Sequence, residues 1–198
     1  DGGMYTVIGI AKEAFKGNTD ITAIEFPKTL KNIGQYAFSG CSSLAGELEI
    51  PSGVITIGGH AFENCSNLTG ELKIPDEVTA IGADAFLNCK GFTGGLKIPE
   101  KITKIESGTF EGCSGFDGEL TIPESVTTIG GGAFRGCKNL TGELKLHDGI
   151  TSIGNYAFED CSGFKGELRI PSGLTVINQT AFEGCSGFTG TLVIPANI

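Results

Sequence analysis

The chain has 198 residues and a formal net charge of −9. That acidic balance argues against nucleic acid, whose phosphates need a basic face, and against docking on anionic lipid. No apolar run approaches the ~20 residues of a membrane span, while a hydrophobic content of 39% is enough for a continuous core.

The chain is organised by a repeat. Cysteine falls at 41, 65, 89, 113, 137, 161 and 185, a spacing of 24 each time. Phe38, Phe62, Phe86, Phe110, Phe134, Phe158 and Phe182 keep the same step, and so do the Ile-Pro pairs that end at Pro51, Pro75, Pro99, Pro123, Pro171 and Pro195. A fixed period of this size predicts a solenoid of stacked coils, each touching only its neighbours. We read residues 1–198 as a single solenoid. Residues 1–26 are a deviant partial unit in which Val7, Ile10, Ala14 and Phe15 match the second half of later copies. Full units start at 27, 51, 75, 99, 123, 147 and 171, and residues 195–198 open a further partial unit. Both ends fall inside a repeat, which reads as a fragment, or one end, of a longer chain.

Within a unit, Glu71-Leu72-Lys73-Ile74 alternates polar and apolar, the mark of a strand with Leu72 and Ile74 inward and Glu71 and Lys73 outward. Proline ends it, because proline cannot donate the next ladder bond. Val78-Thr79-Ala80-Ile81 is either a second short strand or an irregular extended segment. Ala85-Phe86 and Cys89, spaced by three to four, predict one or two helical turns. Leu68, or Phe92, Phe116, Phe164 and Phe188 in its place, closes the coil. A glycine precedes Glu-Leu at 46, 70, 94, 118, 142, 166 and 190, which predicts a positive φ or a tight corner there. The glycine after the second apolar stretch becomes Glu106 and Asn178, so that position is not expected to need a positive φ.

An odd number of cysteines at constant spacing fits neither paired bridges nor zinc, which needs short spacings such as Cys-x-x-Cys. The cysteines read as buried free thiols acting as small apolar residues. Catalysis needs unlike groups at one place. Here the reactive types form repeated columns, and His60 and His147, the two histidines, lie almost four coils apart. The chain therefore reads as non-enzymatic, with no cofactor. His147 is expected at an exposed strand end, and His60 in a variable surface column with Tyr36, Asp84 and Tyr156. Asp76, Glu100, Glu124 and Asp148 follow the proline position in successive coils and read as a solvated acidic edge, since calcium needs six to eight oxygens. The Asn-x-Ser/Thr sequons at Asn64, Asn67, Asn139 and Asn178 read as incidental to the repeat.

The remaining candidates are outward strand positions. One stripe is acidic (Glu47, Glu71, Glu119, Glu143, Glu167); its neighbour is mostly basic (Lys73, Lys97, Lys145, Arg169). Positions i and i+2 of a strand share a face. The stripes are either a self-neutralising solvated face or a docking platform, and Glu71, Lys73, Lys97, Glu119, Glu143, Lys145, Glu167 and Arg169 are the candidate partner-binding residues. Residues 102–109 depart from consensus at Glu106 and Thr109, as a binding site would.

The phrase Ile-Pro-x-x-Val-Thr-x-Ile-Gly-x-x-Ala-Phe-x-x-Cys-x-x-Leu resembles the BspA-like class of leucine-rich repeats along essentially the whole chain. The resemblance implies a curved, right-handed solenoid with a parallel sheet on its concave face and short strands and helical turns elsewhere. It also implies a cell-surface or secreted, non-catalytic module for adhesion or protein binding, with a host or extracellular-matrix protein as partner and glycan less favoured. A structural spacer of a larger surface protein is the alternative. The family shares no ligand, so no site residue carries over from it.

Overall fold

In the computed structural model, which describes residues 6–198, the chain winds into a solenoid with a step of 24 residues per coil. The first unit is thus described from residue 6 onward. One coil cannot bury its own apolar side chains, so each packs on the next. The coil from Pro51 illustrates the pattern: Val54, Ile57, Ala61, Phe62, Cys65, Leu68, Leu72 and Ile74 all point into the core. The phenylalanines from Phe15 to Phe182 form one stack, with ring centroids 5.2–5.7 Å apart and planes nearly parallel.

The second apolar stretch is a strand. Gly9–Ile10, Asn32–Ile33, Thr56–Ile57 and Ala80–Ile81 pair in parallel in that order, and Lys104–Ile105, Thr128–Ile129 and Ser152–Ile153 form a second ladder. The glycine after each isoleucine is there for space. A Cβ on Gly58, Gly82, Gly130 or Gly154 would lie 2.3–2.5 Å from backbone of the preceding coil. Their amides donate to Ile33, Ile57, Ile105 and Ile129 at 2.8–2.9 Å. None of these glycines has a positive φ, as the substitutions at 106 and 178 anticipate.

The Ala-Phe segment is not helical, which corrects the expectation of helical turns. Two residues per coil hold the left-handed conformation, for example Tyr36 (φ 56°) and Gly40 (φ 75°), or His60 (57°) and Asn64 (58°). An α-helix cannot continue through such residues. Instead the amides alternate. Ala37, Ser39 and Cys41 donate within their own coil to Gly34, Tyr36 and Phe38. Tyr36, Phe38 and Gly40 donate to Gly59, Ala61 and Glu63 of the next coil at 2.7–2.9 Å. The turn thus supplies three inter-coil bonds that a helix would have kept internal.

The Glu-Leu-x-Ile side is less regular than its alternation suggests. Leu72 and Ile74 are buried while Glu71 and Lys73 are exposed, but pairing depends on the coil. Leu96–Lys97 pairs with Leu120–Thr121, and Leu168–Arg169 with Leu192–Val193, in step with the repeat. At four further interfaces pairing is displaced by two residues: Gly46↔Leu68, Gly70↔Phe92, Glu119↔Thr141 and Glu143↔Lys165. The two in-step interfaces are those where phenylalanine stacks on phenylalanine in the coil-closing column, Phe92 on Phe116 at 5.9 Å and Phe164 on Phe188 at 6.2 Å. Like rings stacked one over the other hold the residues that follow at matching height. Six of the glycines before Glu-Leu have φ between 75° and 95°. Gly118 differs: its φ is not in that region, and a Cβ there would lie 2.5 Å from the Gly95 nitrogen.

Candidate interaction surface

The candidate residues Glu71, Lys73, Lys97, Glu119, Glu143, Lys145, Glu167 and Arg169 are all exposed. Their backbones are held by the buried leucines and isoleucines between them, Leu72 and Ile74 in one coil, Leu144 and Leu146 in another. Among the described residues, two ion pairs involve these side chains: Lys73–Glu71 at 3.5 Å and Lys97–Asp76 at 3.7 Å. All four side chains are more than half exposed, so these pairs are weak and their charges remain available to a partner. The charges recur along the solenoid without strict register, since Glu71 pairs with Thr93, Glu119 with Thr141 and Glu143 with Lys165, and they are not locked to each other.

The acidic edge is divided among separate partners. Asp76 faces Lys97, Glu124 lies 3.2 Å from the His147 ring, and Asp148 accepts the Ser172 amide at 2.8 Å. That amide bond holds the Asp148 carboxyl below its ordinary range. His147 is not at an exposed end: its side chain is only 11% exposed, and its Nδ1 accepts the Gly149 amide. Proline fills this column elsewhere, and the ring takes the same covered place.

The left-handed turns carry a second polar row. Tyr36 stacks on His60 at 4.4 Å. The His60 ring nitrogens lie 3.1 Å from Glu63 and 3.6 Å from Asp84. Further along, Arg135 contacts Glu111, Glu159 and the face of Tyr156. Burial pushes the Asp84 and Glu111 carboxyls up, opposed by His60 and by Arg135 respectively. Here charges are satisfied within the row and half-buried, in contrast to the strand stripes. Thr109 is structural rather than part of a binding face. It is buried at 1% exposure and its hydroxyl donates to the Glu106 carbonyl at 2.8 Å.

The seven thiols are free, and all but Cys185 are buried. Each donates to a phenylalanine carbonyl in the preceding coil, from Cys41 on Phe15 to Cys185 on Phe158, at 3.0–3.1 Å. Burial pushes the Cys65 thiol up to about 12 and Cys185 to about 11. These bonds escaped the sequence reading, although the fixed Phe-to-Cys spacing was their signal. The sequon asparagines are also engaged. The Asn67, Asn139 and Asn178 amides donate to Ser42, Ser114 and Ile153 carbonyls in the preceding coil. The Asn64 amide donates to Glu63, and its carbonyl accepts from Asn88. Among the described residues, no three His, Cys, Asp or Glu side chains gather to hold a metal ion, and no helix is long and apolar enough to cross a membrane.

Comparison with known proteins agrees with this geometry. The family model described as BspA type leucine rich repeat region matches residues 8–141 and 117–198. A leucine-rich repeat protein of T. pallidum has a crystal structure that aligns with a TM-score of 0.70 at 32% identity, over 80% of this chain and 72% of that one. A leucine rich cell surface protein from Faecalibacterium prausnitzii A2-165 aligns with a TM-score of 0.60 at 23% identity, over 95% and 77%. A leucine-rich repeat protein from Bacteroides ovatus ATCC 8483 gives 0.50 at 22%, over 93% and 70%. The latter two share the fold. No curated protein matches the sequence.

Proposed function

The chain belongs to the BspA type leucine rich repeat family, and from that premise we propose that it is a non-catalytic, cell-surface or secreted module that binds a protein partner. The observation that carries this reading is the exposure of recurring, at most weakly paired charges at Glu71, Lys73, Lys97, Glu119, Glu143, Lys145, Glu167 and Arg169. Side chains fixed on a rigid scaffold lose little entropy on binding. A repeat also presents the same groups at a regular step, which suits an elongated surface better than a small molecule. On this reading the solenoid is right-handed and curved with a parallel sheet on its concave side, and adhesion to a host or matrix protein is its task.

The test is a screen for extracellular protein partners, followed by joint reversal of Lys73, Lys97 and Lys145 to glutamate. Binding through the stripes is salt-sensitive, because exposed charges are screened within ~8–10 Å at ordinary ionic strength. The triple variant is expected to bind weakly with a flattened salt dependence and an unchanged fold. Unchanged binding would rule the stripes out. A structural spacer is the second reading, favoured by the near-identity of the outward columns from coil to coil. It gains if only longer chains carrying further domains bind.

A further inference from the structure

The Glu-Leu side opens where the deviant unit meets the next coil. Between residues 24–26 of the deviant unit and residues 47–50 of the next lies a cleft of about 730 Å³, lined by Ile24, Glu25, Phe26, Glu47, Glu49 and Ile50 among others. Its origin is in the sequence. The segment from Phe15 to Pro27 is one residue shorter than in later copies and lacks the glycine that precedes Glu-Leu in them. The last bond between the two coils here runs from the Ala45 amide to the Thr22 carbonyl. Beyond it the two coils part, and among the described residues the backbones of residues 24–26 and 49–50 make no hydrogen bond to other backbone. A size of 300–1,000 Å³ is that of a ligand site.

Three further features say what fits. The floor is apolar: Ile24 and Phe26 are half-buried, and Phe26 stands edge-on to Phe38 at 5.8 Å. The rim is acidic, with Glu25, Glu47 and Glu49 exposed against one lysine, Lys28. None of those three carboxylates has a cationic partner within 4.0 Å among the described residues, whereas Glu71 in the next coil has Lys73. Finally, residues 49–50 follow the strand Gly46–Glu47, and their amides and carbonyls have no backbone partner among the described residues, so an extended chain can pair with them.

We propose that this cleft takes an extended peptide segment of a partner protein, bearing lysine or arginine on alternate residues. Its backbone pairs with residues 49–50, its cations meet Glu25, Glu47 and Glu49, and its apolar side chains rest on Ile24 and Phe26. The inference rests on the protein-binding reading above and names the kind of segment that one part of the surface selects. Alternation is required because successive side chains of a strand face opposite ways.

Fluorescence anisotropy with the full chain tests it, using a labelled ten-residue peptide of alternating lysine and valine. Two controls share its length: glutamate with valine, and lysine with valine N-methylated on every amide. The expected result is binding of the first alone, reduced by roughly ten-fold or more in the Glu47→Lys/Glu49→Lys variant. Both substitutions are at exposed positions, and an unchanged circular-dichroism melt verifies the fold. Equal binding by the N-methylated peptide would overturn backbone pairing, since that peptide lacks the donors. Equal binding by the double variant would overturn the site, and so would no binding at all. A protein partner lost on reversal of Lys73, Lys97 and Lys145 while the lysine–valine peptide fails to bind would leave the proposed function intact and remove the cleft.

Discussion

Glu106 stands one coil after Gly82 in the same column, and the parallel ladder is broken between the strands that carry them, Ala80–Ile81 and Lys104–Ile105. The cause is steric. A Cβ at Gly82 would lie 2.3 Å from backbone, and glutamate brings that atom. Asn178 repeats the event, but its side-chain amide donates to the Ile153 carbonyl at 2.6 Å, in place of the backbone amide that glycine would have offered.

Glu106→Gly is therefore expected to close the ladder. Each restored hydrogen bond contributes about 1 kcal/mol. Against this stand the ~0.5–1 kcal/mol entropy cost of glycine and loss of the exposed Lys104–Glu106 ion pair at 2.7 Å, a small term. The net is a gain on the order of 1 kcal/mol. Amide exchange checks it: residue 106 should become as protected as Gly82 and Gly130, and no new protection would refute the steric account.

Register on the charged side offers a second handle. Leu140 lies between Phe116 and Phe164 in the coil-closing column, and both of its interfaces are out of step. Leu140→Phe should stack on both neighbours and bring residues 144–146 into step with 120–122 and 168–170. Aromatic pairs contribute about 0.5–1.5 kcal/mol each. The readout is new protection of the Leu144 and Leu146 amides with a higher melting temperature. A lower melting temperature without new protection would show that the stacked rings do not set the register.

The coil length, the core columns and the exposure of the outward strand positions were legible because burial and exposure follow the repeat residue by residue, whereas the two-residue slip of the Glu-Leu side was not. The left-handed turns were not. Gly40, Asn64, Asn88 and Asp160 advertise a positive φ, but Tyr36, His60 and Tyr156 share the other left-handed column, and such residues are uncommon there. Spacing of Ala85, Phe86 and Cys89 imitates a helix because the apolar side chains return to the core at similar intervals. The break at Glu106 was visible as a substitution, yet its effect depends on the approach of a neighbouring backbone, which one coil's sequence does not contain. The burial of His147 escaped notice for the same reason.

The thiol column makes a chemical prediction. Deprotonation is suppressed by burial, so a thiol reagent at pH 8 should leave the folded chain nearly unlabelled. Cys185, half-buried and pushed up to about 11, should react first. All seven should react after unfolding. Rapid native labelling of Cys113 or Cys137, or bridged pairs in the mass spectrum, would contradict the geometry.

Asp84 predicts a pH effect with a definite sign. Burial raises its carboxyl, and the nearby His60 only partly offsets this. Its contribution to stability is fully present below the unfolded carboxylate value and is lost as pH rises through the raised folded value. Asp84→Asn keeps a residue suited to φ 57° and removes the buried charge. The melting temperature of the variant relative to the parent should be higher at pH 7 than at pH 3. A difference that does not change with pH, or changes in the opposite sense, would show that the His60 attraction dominates.

The claim that the charged strand stripes are the binding surface is tested most directly by a hydrogen-exchange footprint of the chain with a captured protein partner. Exchange should slow on binding around residues 47–50, 71–74, 95–98 and 143–146, whose backbones lie beneath the stripes. The Ala-Phe turns, already bonded to the next coil, should not change. Protection confined to the turns around Tyr36, His60 and Tyr156, with the strand segments unaltered, would contradict the account.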